Sequence, residues 1–237
     1  MGSMQMIDRP ETSRRSVNSR ARRRLAAIAV AAVVGLGSQA AFAQSSTTVT
    51  PAGDNFAANL TAGTTASFTV SSVSVNCNRS TTTGAVPAAP ANQNPAGPVS
   101  GPISNPTFRN NSSASCPTNI PFTSATSTSS GAWSISLQFD PAGSTGTLTI
   151  PQGGVVTRTS GLASCTVTVA PNGPTQVQGT WVPGTATASP KLQINGSVPI
   201  VVTGNGLCPT SATSATFVSS YDITDTTSPS LQVAVGP

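Results

Sequence analysis

Histidine is absent from this chain of 237 residues, and the only glutamate is Glu11 near the amino terminus. The first absence removes the commonest general base and the commonest metal ligand together. Ser-His-Asp and Cys-His mechanisms are therefore excluded, and with no Cys-x-x-Cys pair a zinc site is excluded too. Charge is scarce, at 7% of residues, against an average of about 25%. The net charge of +5 is carried by the first 24 residues, where Arg9, Arg14, Arg15, Arg20, Arg22, Arg23 and Arg24 outnumber Asp8 and Glu11. Beyond them Arg79, Arg109, Arg158 and Lys191 balance Asp54, Asp140, Asp222 and Asp225. Four scattered cations make no basic stripe, so nucleic acid is not an expected partner. No cofactor motif is present, and what fills the chain instead is Ser, Thr, Ala, Gly and Pro.

Residues 1–43 have the layout of a secretory signal peptide. A basic region ends at Arg22-Arg23-Arg24, an apolar run follows from Leu25 to Gly37, and Ala41-Phe42-Ala43 supplies the small-x-small cleavage site. Gln44 is the expected first mature residue. The rival reading, an uncleaved anchor, needs about 20 mostly apolar residues, and Gly35, Gly37, Ser38 and Gln39 weaken that span. No stable membrane insertion is expected after cleavage.

The four cysteines, Cys77, Cys116, Cys165 and Cys208, all follow the leader, as suits an oxidising compartment. Three connectivities are possible. Cys77 and Cys116 are 39 residues apart, Cys165 and Cys208 are 43 apart, and Pro-Thr follows the second member of each pair. This spacing favours one disulfide per half and suggests a diverged internal duplication, with pseudo-repeats at about 60–140 and 141–237.

Strand signals dominate the expected mature region, 44–237. Trp133, Ile135, Leu137 and Phe139 alternate with Ser134, Ser136 and Gln138, the pattern of a strand with one buried face. Similar alternation recurs at Leu162–Val169, Leu192–Ile194, Val198–Val202, Phe217–Ile223 and Leu231–Val235. The apolar phase slips between Val70 and Val73, which predicts a bulge at Ser71-Ser72. About ten antiparallel strands separated by Gly, Pro, Asn and Ser turns predict an all-β fold, a β-sandwich with a β-barrel as the alternative. Residues 85–106 carry six prolines and are expected to form an exposed Pro-rich loop.

Few residues invite chemistry. The four aspartates offer no evident catalytic pair, Lys191 beside Pro190 makes a poor Ser-Lys dyad, and Asp222 with Asp225 reads as solvated turn residues rather than a calcium site. Trp133 is in phase with a core face. Trp181 and Tyr221 remain as weak ligand-binding candidates, because aromatic rings stack on sugars.

The segments GLASCTVTVAP around Cys165, GTWVPGTA around Trp181 and GNGLCPTSATSATF around Cys208 resemble a group of uncharacterised exported Ser/Thr-rich β proteins of high-GC Gram-positive bacteria. The resemblance spans residues 60–237 and implies a secreted β protein without assigning any site. The expectation is a non-enzymatic exported protein, extracellular or envelope-associated, with a structural or adhesive role and an envelope polymer or glycan as partner. A carbohydrate- or small-ligand-binding module and an envelope β-barrel pore are the alternatives.

Overall fold

A computed structural model describes residues 45–111 and 113–237. The expected leader and its cleavage site lie outside the described residues. Every regular element among the described residues is a strand. In chain order these are β1 (Thr47–Thr50), β2 (Asn55–Leu60), β3 (Ala66–Val70), β4 (Val73–Cys77), β5 (Arg79–Ala85), β6 (Gln93–Asn94), β7 (Val99–Ile103), β8 (Thr107–Arg109) and β9 (Ser115–Pro117). They continue with β10 (Thr123–Ser129), β11 (Trp133–Gln138), β12 (Thr145–Ile150), β13 (Val155–Gly161), β14 (Cys165–Val169), β15 (Thr175–Val182), β16 (Lys191–Gly204), β17 (Ser214–Asp225) and β18 (Ala234–Gly236). The expected all-β, antiparallel fold forms. Its strands outnumber the expected ten for two reasons: β6, β8, β9 and β18 are only two or three residues long, and others such as β5 and β10 are Ser/Thr runs with too few apolar residues for alternation to register.

The hairpin of β16 and β17 organises the molecule. Its register runs from Lys191↔Asp222 to Pro199↔Ser214. Leu192, Ile194, Val198, Ile200 and Val202 on one strand, and Ala215, Phe217, Tyr221 and Ile223 on the other, all point inward. Burying each large apolar side chain of this face contributes about 1.5–3 kcal/mol. At its open end the hairpin joins a closed barrel of eight strands in the order β17, β2, β5, β7, β11, β12, β15, β16. A ring of this size is just wide enough to be filled by side chains. Phe56, Trp133, Leu137, Leu148, Trp181 and Tyr221 fill it. Inward glycines make the room: a Cβ on Gly84 would sit 2.5 Å from the Phe56 ring, and one on Gly146 would sit 2.6 Å from Leu192 Cδ1.

Towards its turn the same hairpin carries a second ring. Here β14 replaces β15 beside β16, and β3 replaces β2 beside β17. From these the ring continues through β13, β10 and β9 on one side and β4 on the other. The seam between β4 and β9 has only the bridge Val75↔Thr118. Asn119 reinforces it, its Oδ1 accepting from Ser74 N at 2.9 Å and its Nδ2 donating to Ser72 O at 2.7 Å. The Cys77–Cys116 disulfide closes the same seam, and Cys165–Cys208 ties the start of β14 to the β16–β17 loop. Both pairings match the sequence expectation. The segments 60–140 and 141–237 share one sheet, since β11 pairs with β12 and β10 pairs with β13.

Two local expectations are corrected. Ser71-Ser72 is not a bulge but the hairpin turn between β3 and β4, with Val70 opposite Val73 and Ser71 at φ +52°. The phase slip was the chain reversing. Residues 85–106 are not a continuous exposed loop either: Val99–Ile103 is the barrel strand β7, paired with β11. Pro102 is tolerated because β7 meets β5 on its other edge only at Gly84↔Ile103, so few ladder bonds are asked of that edge. Val86 and Asn92 in the same segment are buried, and Asn92 Nδ2 donates to Val49 O at 3.0 Å.

The two ends of the described chain meet at the open end of the barrel. There β1 pairs with β18 and β6, and Thr47 Oγ1 accepts from Phe139 N at 3.0 Å and Gln138 Nε2 at 2.9 Å. This end is called the base below, and the opposite one the loop end.

Candidate functional site

The aromatic candidates do not form a sugar platform. Trp181 is 3% exposed and Tyr221 is 6% exposed, so neither ring face is presented to solvent. Trp181 is in phase with Val177, and its outward neighbours are Gln178, Thr180 and Val182. The Tyr221 hydroxyl shares a hydrogen bond with Ser80 Oγ at 2.8 Å. Burial pushes the Tyr221 hydroxyl above the ordinary tyrosine range, and that hydrogen bond opposes the shift. Trp133 is buried as expected, its Nε1 donating to Ser130 O at 3.0 Å.

The charged candidates are also engaged or apart. Lys191 pairs with Asp222, each about 30% exposed, and Thr61 Oγ1 donates to Asp222 Oδ1 at 3.1 Å. Asp225 turns the other way, its buried Oδ1 accepting from Thr227 N at 2.9 Å and Ser228 N at 2.7 Å. Asp140 Oδ1 accepts from Ala142 N at 2.8 Å in its turn. Among the described residues no group of three potential metal ligands converges.

Among the described residues the apolar interior leaves little room for a ligand. The cavity between Phe56, Phe68, Trp133, Leu192, Phe217 and Tyr221 holds about 80 Å³, well below the roughly 150 Å³ of an apolar cavity that takes up benzene. A membrane-spanning pore needs a polar lumen and an apolar outer band. This barrel has the reverse: its lumen is apolar, and the outward positions of β12, β15 and β16 are Thr, Gln, Asn and Ser with Val182, Lys191, Pro199 and Val201 among them. That arrangement lends the pore reading no support.

What stands out is the loop end. Three hairpin loops project there: Thr118–Phe122 before β10, Leu162–Ser164 between β13 and β14, and Asn205–Thr213 between β16 and β17. Each presents one large apolar side chain, Phe122 at 90% exposure, Leu162 at 56% and Leu207 at 60%. None of these loops contains a charged residue. Phe122 has a left-handed backbone at φ +54°, a conformation that costs a non-glycine residue roughly 1–2 kcal/mol.

The loops hold one another in place. Thr118 Oγ1 donates to Thr123 O at 3.0 Å, and Thr123 N donates to Ile120 O at 3.2 Å, fixing the turn under Phe122. Gly161 lies against it at φ +117°, where a Cβ would fall 1.9 Å from Phe122 O. Asn205 N donates to Ser164 O at 3.3 Å, Leu207 N donates to Asn205 Oδ1 at 3.3 Å, and the Cys165–Cys208 disulfide binds the second loop to the third. Three exposed apolar side chains are thus carried on a braced, uncharged support. Sequence reasoning passed over them because Phe122, Leu162 and Leu207 lie outside the alternating runs or at their margin. The available signal was a large apolar residue set among Pro, Gly, Asn and Ser.

No protein-family model matches the chain, and no curated protein and no solved structure is similar to it.

Proposed function

We propose that the protein is an exported, non-catalytic attachment protein of the cell envelope and that the loop end is its contact surface. The carrying observation is Phe122, held in a strained backbone conformation with its ring almost wholly in solvent. Nothing in the core is gained by that arrangement, whereas a partner surface gains an apolar anchor. The leader-like residues 1–43 and two disulfides support export. The lack of histidine supports a binding rather than a catalytic role, and the resemblance to exported Ser/Thr-rich proteins points the same way.

The test is co-sedimentation of the purified protein with isolated envelope. Wild-type protein is expected in the pellet, and Phe122→Ser with Leu207→Ser is expected in the supernatant with unchanged thermal stability. Equal pelleting of both forms, or no pelleting of either, contradicts the proposal.

A further inference from the structure

The face opposite the seam of β4 and β9 carries a second feature, independent of the loop end. Strands β15 and β16 are paired only from Gly179↔Ile194 to Val182↔Lys191. Beyond that point β15 stays with β12, while β16 goes on to β14. The two strands part, and a cleft of about 330 Å³ opens on the outer surface between them. This lies within the roughly 300–1,000 Å³ range of small-molecule sites.

Its walls are unusual in kind. Gln176, Gln178 and Thr180 project from β15, Gln193, Asn195 and Ser197 from β16, and Thr145 from β12 stands opposite Thr180. Among the described residues the four amide side chains make no hydrogen bond with the rest of the protein. The cleft has no ionisable lining group; Lys191 and Asp222 lie beyond it and pair with each other. The ladder between the two strands also stops here, since Thr175–Gln178 and Asn195–Val198 have no pairing with each other.

We propose that this cleft binds a neutral carbohydrate chain. A primary amide offers two donors and an acceptor in one plane, which matches neighbouring sugar hydroxyls, each both donor and acceptor. Four such groups around one hollow, with no charge among them, suit a polyhydroxylated neutral ligand and give nothing to a carboxylate or phosphate. An extended peptide added as a strand is the other occupant an open edge suggests. It does not fit, because a Cβ at Gly196 would lie 2.8 Å from Val177 Cγ1 and 3.8 Å from Gln178 O. The strands part at the surface but remain in contact below, leaving a trough rather than a slot.

The experiment follows the side-chain amide signals of the purified protein by nuclear magnetic resonance. The probes are cellohexaose, chitohexaose, a linear mannan oligosaccharide and, as the charged comparison, a heparin oligosaccharide. At least one neutral probe is expected to shift the Gln176, Gln178, Gln193 and Asn195 signals saturably. Gln178→Ala with Gln193→Ala is expected to weaken that binding about tenfold or more at unchanged thermal stability, and Phe122→Ser with Leu207→Ser to leave it intact. The inference is overturned if no neutral probe shifts these signals, if only the heparin oligosaccharide does, or if the amide variant binds as well as wild type. Because the two variant pairs are separate, failure of the cleft and failure of the loop end are distinguishable.

Discussion

Tyr221 is the chain's only tyrosine, and its buried hydroxyl is joined to that of Ser80 over the intervening strand β2. Truncating it by Tyr221→Phe leaves Ser80 without this partner in the core, and a loss of about 1–3 kcal/mol is expected in denaturant unfolding. The raised native titration also fixes a pH dependence. Below the ordinary tyrosine value of about 10 both folded and unfolded states hold the proton, so stability is unaffected. Above it the folded state holds more protons than the unfolded one, and stability falls as pH climbs towards the native value. Tyrosinate absorbance is therefore expected to appear together with loss of the far-ultraviolet β signal. Titration at an ordinary value with the fold intact would contradict this burial. At Gly161, where φ is +117° and the Phe122 carbonyl blocks a Cβ, Gly161→Ala is expected to cost at least about 1–3 kcal/mol and to lower the melting temperature. Trp181 and Tyr221 were read as ligand candidates, although the phase that buries them is present in the sequence: Trp181 alternates with Val177, and Tyr221 with Phe217 and Ile223. The Tyr221–Ser80 bond was not legible, because it joins β17 to β5 across 141 residues.

At the scale of elements, the two rings are closed by different means. The barrel is sealed by ladders except between β5 and β7, which share the single pair Gly84↔Ile103, whereas the second ring relies on one bridge, Asn119 and Cys77–Cys116 at its weakest seam. In the chain-entropy account each disulfide loop contributes about 4 kcal/mol, and both loops lie in or beside the second ring. Mild reduction is thus expected to raise hydrogen exchange first in β3, β4, β9, β10, β13 and β14, while β11, β12 and β15 stay protected. Simultaneous loss of protection in both sets would contradict this division. The cysteine pairing was readable from spacing alone, and β11, β14, β16 and β17 from alternation. β7 was hidden because its sequence, Val-Ser-Gly-Pro-Ile, shows neither β-branched enrichment nor a clean period, and tertiary pairing with β11 overrides that weak local preference. The amide cleft was equally hidden. Gln176, Gln178, Gln193 and Asn195 read as outward polar positions, but where two strands part depends on which third strand each then joins.

The whole molecule has two unlike ends. At the base are both ends of the described chain together with Asp54, Asp140, Asp222 and Asp225, with Lys191 paired to Asp222. The loop end carries no charge in its projecting loops, and the three arginines among the described residues, Arg79, Arg109 and Arg158, lie on β5, β8 and β13, away from the base. Uncharged apolar contact loops make salt a minor influence, since screening acts on charges and not on apolar contact. Envelope binding is therefore expected to persist, within about twofold, when salt is raised from low to physiological strength, where a phosphate-bound basic surface would lose orders of magnitude. The zero net charge of residues 44–237 and their neutral, hydroxyl-rich faces were readable from composition. The polarity between the ends was not, because Asp54 comes near Asp225 only after β2 pairs with β17 and sets Phe56 opposite Asp225. The most direct measurement is hydrogen exchange of the protein alone and bound to isolated envelope. New protection is expected in residues 118–123, 161–164 and 205–212, with the base unchanged. Protection confined to the base, or no change at the loop end on binding, would contradict it.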